Sequence, residues 1–142
     1  MDDWCFLISG YKAPLPGVKP IGDWLNGGII LKKQNKEMFF PLQHLFMEEL
    51  EDFLVWLGSL HDSPEHPVFF QFMDTPLCFE CCYVSGTPVL RLNYEEEGQV
   101  SVVVELSAKK DSGLVQQKMQ HIQSLLRLHP CRCEQIHDVF KK

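Results

Sequence analysis

The stretch Leu42–Leu60, LQHLFMEELEDFLVWLGSL, decides the fold class of this chain. Leu42, Leu45, Phe46, Leu50, Phe53, Leu54, Leu57 and Leu60 recur at steps of three and four, the period of one helical face. Glu48, Glu49, Glu51 and Asp52 fall largely off that stripe, as a helix lying on a core requires. Trp56 is expected on the core side. Asp62, Ser63, Pro64 and Pro67 end the segment with turn and breaker residues.

On both sides of this helix the period falls to two. Residues 4–11 (WCFLISGY) read as a strand, ended by the loop-like cluster Pro14, Pro16, Gly17 and Pro20. Residues 28–33 (GIILKK) and 37–40 (EMFF) flank the polar turn Gln34-Asn35-Lys36 and read as a hairpin. Beyond the helix, strands are expected at 68–73, 76–84, 88–94 and 99–106. In the last, Val100, Val102, Val104 and Leu106 alternate with Ser101, Val103 and Glu105. Short turn segments separate these strands, so an antiparallel meander is the economical topology.

Residues 112–128 return to helical period. Val115, Met119, Ile122 and Leu126 share a face, Leu125 extends it, and Asp111 or Ser112 is the expected N-cap. Pro130 stops the helix, and Glu134 to Phe140 is expected to form one or two further turns. The fold class is therefore α+β, an antiparallel sheet of roughly six to seven strands with two main helices packed on one face. At 142 residues the chain fits one domain, 1–142, with a core over 4–130 and a short C-terminal extension over 131–142.

Bulk properties narrow the function. A net charge of −6 and a pI near 5.4 disfavour nucleic acid as a partner, because phosphate affinity comes from Lys and Arg. The same charge suits a basic protein partner. No run approaches the roughly 18 apolar residues that span a bilayer, and Met1-Asp2-Asp3 opens no signal peptide. A cytoplasmic protein without a membrane role is expected. In that compartment the 6 cysteines are expected to be reduced.

Two kinds of cluster carry chemical meaning. Cys78-Phe-Glu-Cys81-Cys82 contains a C-x-x-C spacing, and His129, Cys131, Cys133 and His137 follow later. Thiolate and imidazole are the ligands zinc prefers, and a thiol paired with a base is a nucleophile, so a metal- or thiol-dependent enzyme is one reading. Alternation along a strand opposes it, because Cys78 and Cys82 would face one way and Cys81 the other. Glu80, a lone acid within that strand, reads as solvent-facing or paired. No phosphate loop, G-x-S-x-G elbow or H-E-x-x-H motif is present.

The second kind is acidic. Glu48, Glu51 and Asp52 are three and four positions apart and share a helical face. Glu95, Glu96 and Glu97 crowd a hairpin tip. A basic partner would relieve the repulsion within each group. Trp24, in the segment Gly22-Asp-Trp-Leu-Asn-Gly27, is either an interface anchor or a plug at the end of the sheet.

Gly22-Asp-Trp-Leu-Asn26 leading into a strand, Glu49-Leu-Glu-Asp-Phe-Leu-Val-Trp-Leu57, Phe70 and Phe72, Leu90-Arg-Leu92, and a closing helix ending Leu128-His-Pro130 form a series. The series resembles the WapI-like immunity proteins of bacterial polymorphic toxin systems and covers most of residues 4–130. The cysteine-rich stretches 78–82 and 131–133 and the tail after Pro130 lie outside its pattern. The resemblance implies a cytosolic protein that binds and neutralises a cognate toxin domain, often a nuclease, with no enzymatic activity and no cofactor. It transfers no binding residues, since toxin-facing surfaces vary with the toxin, and it leaves the oligomeric state open. A small acidic secretion chaperone is a further reading, weakened because such chaperones usually open with a helix.

Overall fold

The computed structural model describes residues 2–11, 24–43, 45–60, 67–73, 75–96 and 99–130. It is α+β, with two helices and eight strands. The strands do not form one sheet, as the sequence had suggested, but two antiparallel sheets of four strands each.

The first sheet has the order β1 (Asp3–Tyr11), β2 (Trp24–Lys33), β3 (Lys36–Pro41), with β4 (Leu45–Phe46) also paired to β2. β2 and β3 meet in a two-residue turn, where Gln34 and Asn35 take φ of 53° and 64°. Both central residues are left-handed, the conformation that matches the twist of a hairpin. β2 starts earlier than the apolar run 28–33 indicates, because it pairs with three strands rather than one. Its glycines permit this. A Cβ on Gly27 would stand 2.2 Å from the Leu7 oxygen, and one on Gly28 would stand 2.3 Å from the Phe40 oxygen.

The first helix, α1, spans Met47–Gly58 and is shorter than its apolar stripe. Leu45 and Phe46 have helical spacing but pair as a strand with Leu25 and Trp24, and the Leu42 amide bonds to the Gly27 oxygen at 3.0 Å. Leu50, Phe53 and Leu57 of the same stripe are buried, and Trp56 packs partly buried against the core.

The second sheet is the expected meander, β5 (Val68–Gln71), β6 (Leu77–Val84), β7 (Thr87–Glu96) and β8 (Gln99–Ser107) in sequence order. A 3-10 turn at Lys110–Ser112 then leads to α2, Leu114–Leu128. The N-cap is neither Asp111 nor Ser112 but Gly113, whose φ of 74° turns the chain from that 3-10 turn into the helix. The Ser112 hydroxyl still accepts the Leu114 amide at 3.4 Å. The further turns expected over 134–140 lie outside the described residues.

One continuous buried cluster joins both sheets and both helices. Phe53 of α1 is at its centre, with ring centroids 4.4 Å from Phe79, 5.2 Å from Phe70 and 6.1 Å from Trp4. Phe40 of β3 meets Tyr94 of β7 at 4.3 Å, closing the same interior elsewhere. Aromatic pairs at these separations contribute beyond their buried area.

α2 lies beside β1 and satisfies its outer carbonyls. The Lys118 ammonium, almost wholly buried, donates to the Trp4 oxygen and to Asp3, and stands 4.6 Å over the Trp4 ring. His121 Nε2 lies 3.0 Å from the Phe6 oxygen. A buried lysine is tolerated when its charge has such partners.

Candidate functional site

The acidic groups singled out in the sequence fall around one turn. Glu48, Glu51 and Asp52 are exposed on α1, and Val55 beside them is 73% exposed. On the same helix Glu49 is buried, and its Oε2 accepts the Met73 amide at 2.6 Å. Met73 is the second residue after β5, and the Phe72 amide donates to the Leu77 oxygen at 3.2 Å, so this turn closes the β5–β6 hairpin. On its other side the Glu95 amide donates to the Pro76 oxygen at 2.8 Å. Glu95 and Glu96, both exposed, end β7 there.

The acidic part of α1 and the acidic end of β7 therefore flank the same end of the second sheet. β5 and β7 are two strand spacings apart, about 10 Å. Glu97 lies outside the described residues. The backbone of Trp24 begins β2 opposite Phe46. The two roles considered for its side chain fall outside what the structure describes.

A second group of charges lies on the outer face of the second sheet. Arg91 of β7 faces Glu80 of β6 and Glu105 of β8 in register. Its Nη1 is 3.3 Å from Glu80 and its Nη2 is 2.8 Å from Glu105. Glu80 is thus paired, as one of the two sequence readings has it. The hydrogen bond that Arg91 donates to Glu105 holds its guanidinium above its ordinary pKa.

The described cysteines of the cluster do not converge. Within β6, Cys81 is buried while Cys78 and Cys82 are partly exposed on the opposite face. Cys5, Cys78, Cys81 and Cys82 are free thiols, and burial raises the pKa of each. Thiols so placed hold their protons at neutral pH, the opposite of an activated nucleophile. His129 caps α2, and among the described residues it meets no thiol. Its amide and its Nδ1 lie 2.9 and 3.1 Å from the Leu125 oxygen, and its ring lies 5.8 Å from Tyr11. Cys131, Cys133 and His137 lie outside the described residues, and among the described residues no group of three metal-ligating side chains comes together.

Among the described residues, cavities open to solvent include the following pair. One, of about 160 Å³, sits between the end of α1 and the start of α2 and is lined by Leu57, Val115 and Met119. The other, of about 350 Å³, lies on the outer face of the first sheet beside Leu7 and Phe39. Neither holds an acid–base pair. No described helix is long and apolar enough to cross a membrane.

Sequence reasoning missed the part Glu49 plays. It placed Glu49 largely off the apolar stripe, although Glu49 stands three residues after Phe46 and four before Phe53, at the border of that face. The model of the Immunity protein WapI-like family matches residues 4–125. No curated protein and no solved structure matches the chain.

Proposed function

Because the chain belongs to the WapI-like immunity protein family, we propose that it neutralises a basic toxin domain through the acidic end of its second sheet. The observation that carries the choice of surface is the β5–β6 turn. It bonds to Glu49 of α1 on one side and to the Glu95 amide on the other, so Glu48, Glu51, Asp52, Glu95 and Glu96 border one region. An acidic region of this kind covers a basic cleft, such as that of a nuclease, by standing in for phosphate, and long-range attraction speeds the encounter.

The partner in this reading is a protein and the chain itself performs no catalysis, in the cytoplasm of the cell that makes the toxin. The raised pKa values of the described thiols and their failure to converge support this over a thiol- or metal-dependent enzyme.

The test changes Glu48, Glu51 and Asp52 to Lys together and measures association with the toxin domain encoded beside this gene, at two ionic strengths. These positions are exposed, so unchanged circular dichroism is expected. Association should slow by about tenfold or more at low salt, and its salt dependence should flatten. An unaltered rate in a folded variant removes α1 from the interface. A wild-type protein that neither binds nor protects against the neighbouring toxin ends the immunity reading.

A further inference from the structure

The outer strands of the two sheets are protected unequally. On β1, Lys118 and His121 occupy the carbonyls of Trp4 and Phe6. On β8, the Val103 oxygen accepts Lys33 Nζ at 2.9 Å. β3 ends in Pro41, which has no N–H, and carries Lys36 and Glu37, devices that deter pairing.

β5 has only partial cover. Phe72 bonds to Leu77, which extends the register Phe70 to Phe79 and Val68 to Cys81. In an antiparallel ladder bonded pairs alternate, so the backbones of Phe69 and Gln71 point away from β6. Met73 is next in that outward series, and its amide is the one Glu49 takes. Among the described residues, nothing pairs with the Phe69 or Gln71 backbone. The side chains there leave the edge accessible, with Phe69 60% and Met73 64% exposed.

We propose that the open edge of β5 receives an extended segment of the basic toxin partner, which adds to the second sheet as a further strand. The proposal rests on the immunity reading and deepens it. An added strand would form up to about four main-chain hydrogen bonds with Phe69 and Gln71, and its side chains would meet Phe69 and Met73.

Charge selects the occupant. Trp56 packs near Phe70 at 6.0 Å and Glu49 reaches Met73, so α1 runs antiparallel beside β5. At about 100° per residue, Asp52 and Glu48 stand roughly 60° and 100° round from Glu49, on the side away from the core. Both acids therefore border the open edge. A segment rich in Lys or Arg is matched to that border. A second copy of this chain would bring its own Glu48 and Asp52 against the first, and like charges there oppose pairing.

The deciding variant is Phe69→Pro, which removes the outward N–H and leaves the β5–β6 ladder intact. Proline is tolerated on an edge strand when its nitrogen faces outward, and Val68 before it is already extended. Phe69→Thr, which keeps the N–H, is the control for loss of the ring. With the toxin domain encoded beside the gene as probe, Phe69→Pro should weaken binding about tenfold more than Phe69→Thr, the effect of roughly one hydrogen bond. Amide exchange in the wild-type complex gives a second readout independent of the variant's folding. Phe69 and Gln71 should slow at least about tenfold on binding, while Met73, already bonded to Glu49, should change less.

Equal binding by a folded Phe69→Pro, or unchanged exchange at Phe69 and Gln71, overturns the proposal. So does a wild-type dimer that Phe69→Pro converts to monomer without toxin, which assigns the edge to a second copy. Failure of the wild-type chain to bind the toxin is a different result. It defeats the immunity reading itself, and is visible before any variant is made.

Discussion

β1 and β5 are both outer strands, and a helix runs beside each, yet the two helices treat them differently. α2 gives β1 a buried lysine and a histidine, and the Trp4 and Phe6 carbonyls are occupied inside the protein. α1 gives one carboxylate to the amide of Met73, just past β5, and among the described residues nothing pairs with the outward backbone of Phe69 and Gln71. The side chains do not divide this way, since Leu7 on β1 and Phe69 on β5 are both exposed on the outward faces, and the contrast lies in the backbone. A fold can seal one edge for stability and keep another available, and the helix beside it decides which.

The interior common to both edges is where the largest effect should appear. Phe53 touches rings from β1, β5, β6 and the β5–β6 turn, so Phe53→Ala should destabilise the chain by about 3–5 kcal/mol in chemical denaturation. A loss below about 1 kcal/mol would mean that the two halves hold together without this cluster, and the comparison would then describe two independent parts.

Sealing of β1 is tested next. Lys118→Ala strips the Trp4 oxygen and Asp3 of a charged donor, and a loss of about 1–3 kcal/mol is expected from the denaturation midpoint. Lys118→Met keeps most of the stem and isolates the ammonium. If the methionine variant matches wild type, packing rather than hydrogen bonding seals this edge, because a buried charge can be replaced by apolar contact without loss.

The smallest effect belongs to the outer face of the second sheet. Arg91→Ala breaks a three-residue ion pair, but Arg91 and Glu105 are partly solvated, so thermal melting should report less than about 1 kcal/mol. A larger loss would make that face a structural element, and would sharpen the contrast with β5 by leaving its edge as the accessible part of the sheet.

These elements were not equally readable beforehand. The meander β5–β8 was plain from alternation and turn residues, because each of its strands pairs with its sequence neighbour. The N-terminal side of α1 was misjudged, since Leu42, Leu45 and Phe46 have helical spacing and only their distant partners Gly27, Leu25 and Trp24 make them extended. Division into two sheets was hidden for a similar reason. Alternation reports that a strand has a buried face and not which sheet covers it.

Lys118 could not be found from local pattern at all, because a lysine at a buried helical position is explained only by a carbonyl on a strand 114 residues earlier. For the acidic residues the sequence supplied the groups but not their proximity. Glu48 and Glu95 are related through the β5–β6 turn, whose Met73 amide donates to the Glu49 carboxylate and whose Pro76 oxygen accepts the Glu95 amide, and no spacing rule encodes that.

The link between Phe6 and His121 also has a consequence in time. The two residues are 115 positions apart, so β1 leaves the ribosome long before the helix that closes it. At roughly 5–20 residues per second, synthesis of that interval takes about 6–23 seconds. Throughout this period the outer carbonyls of the first strand lack Lys118 and His121, and the nascent chain can pair there with a neighbour on the same message. Slow synonymous codons placed before codon 114 should lengthen this interval and raise aggregation of the newly made protein, measured as its insoluble fraction after synthesis.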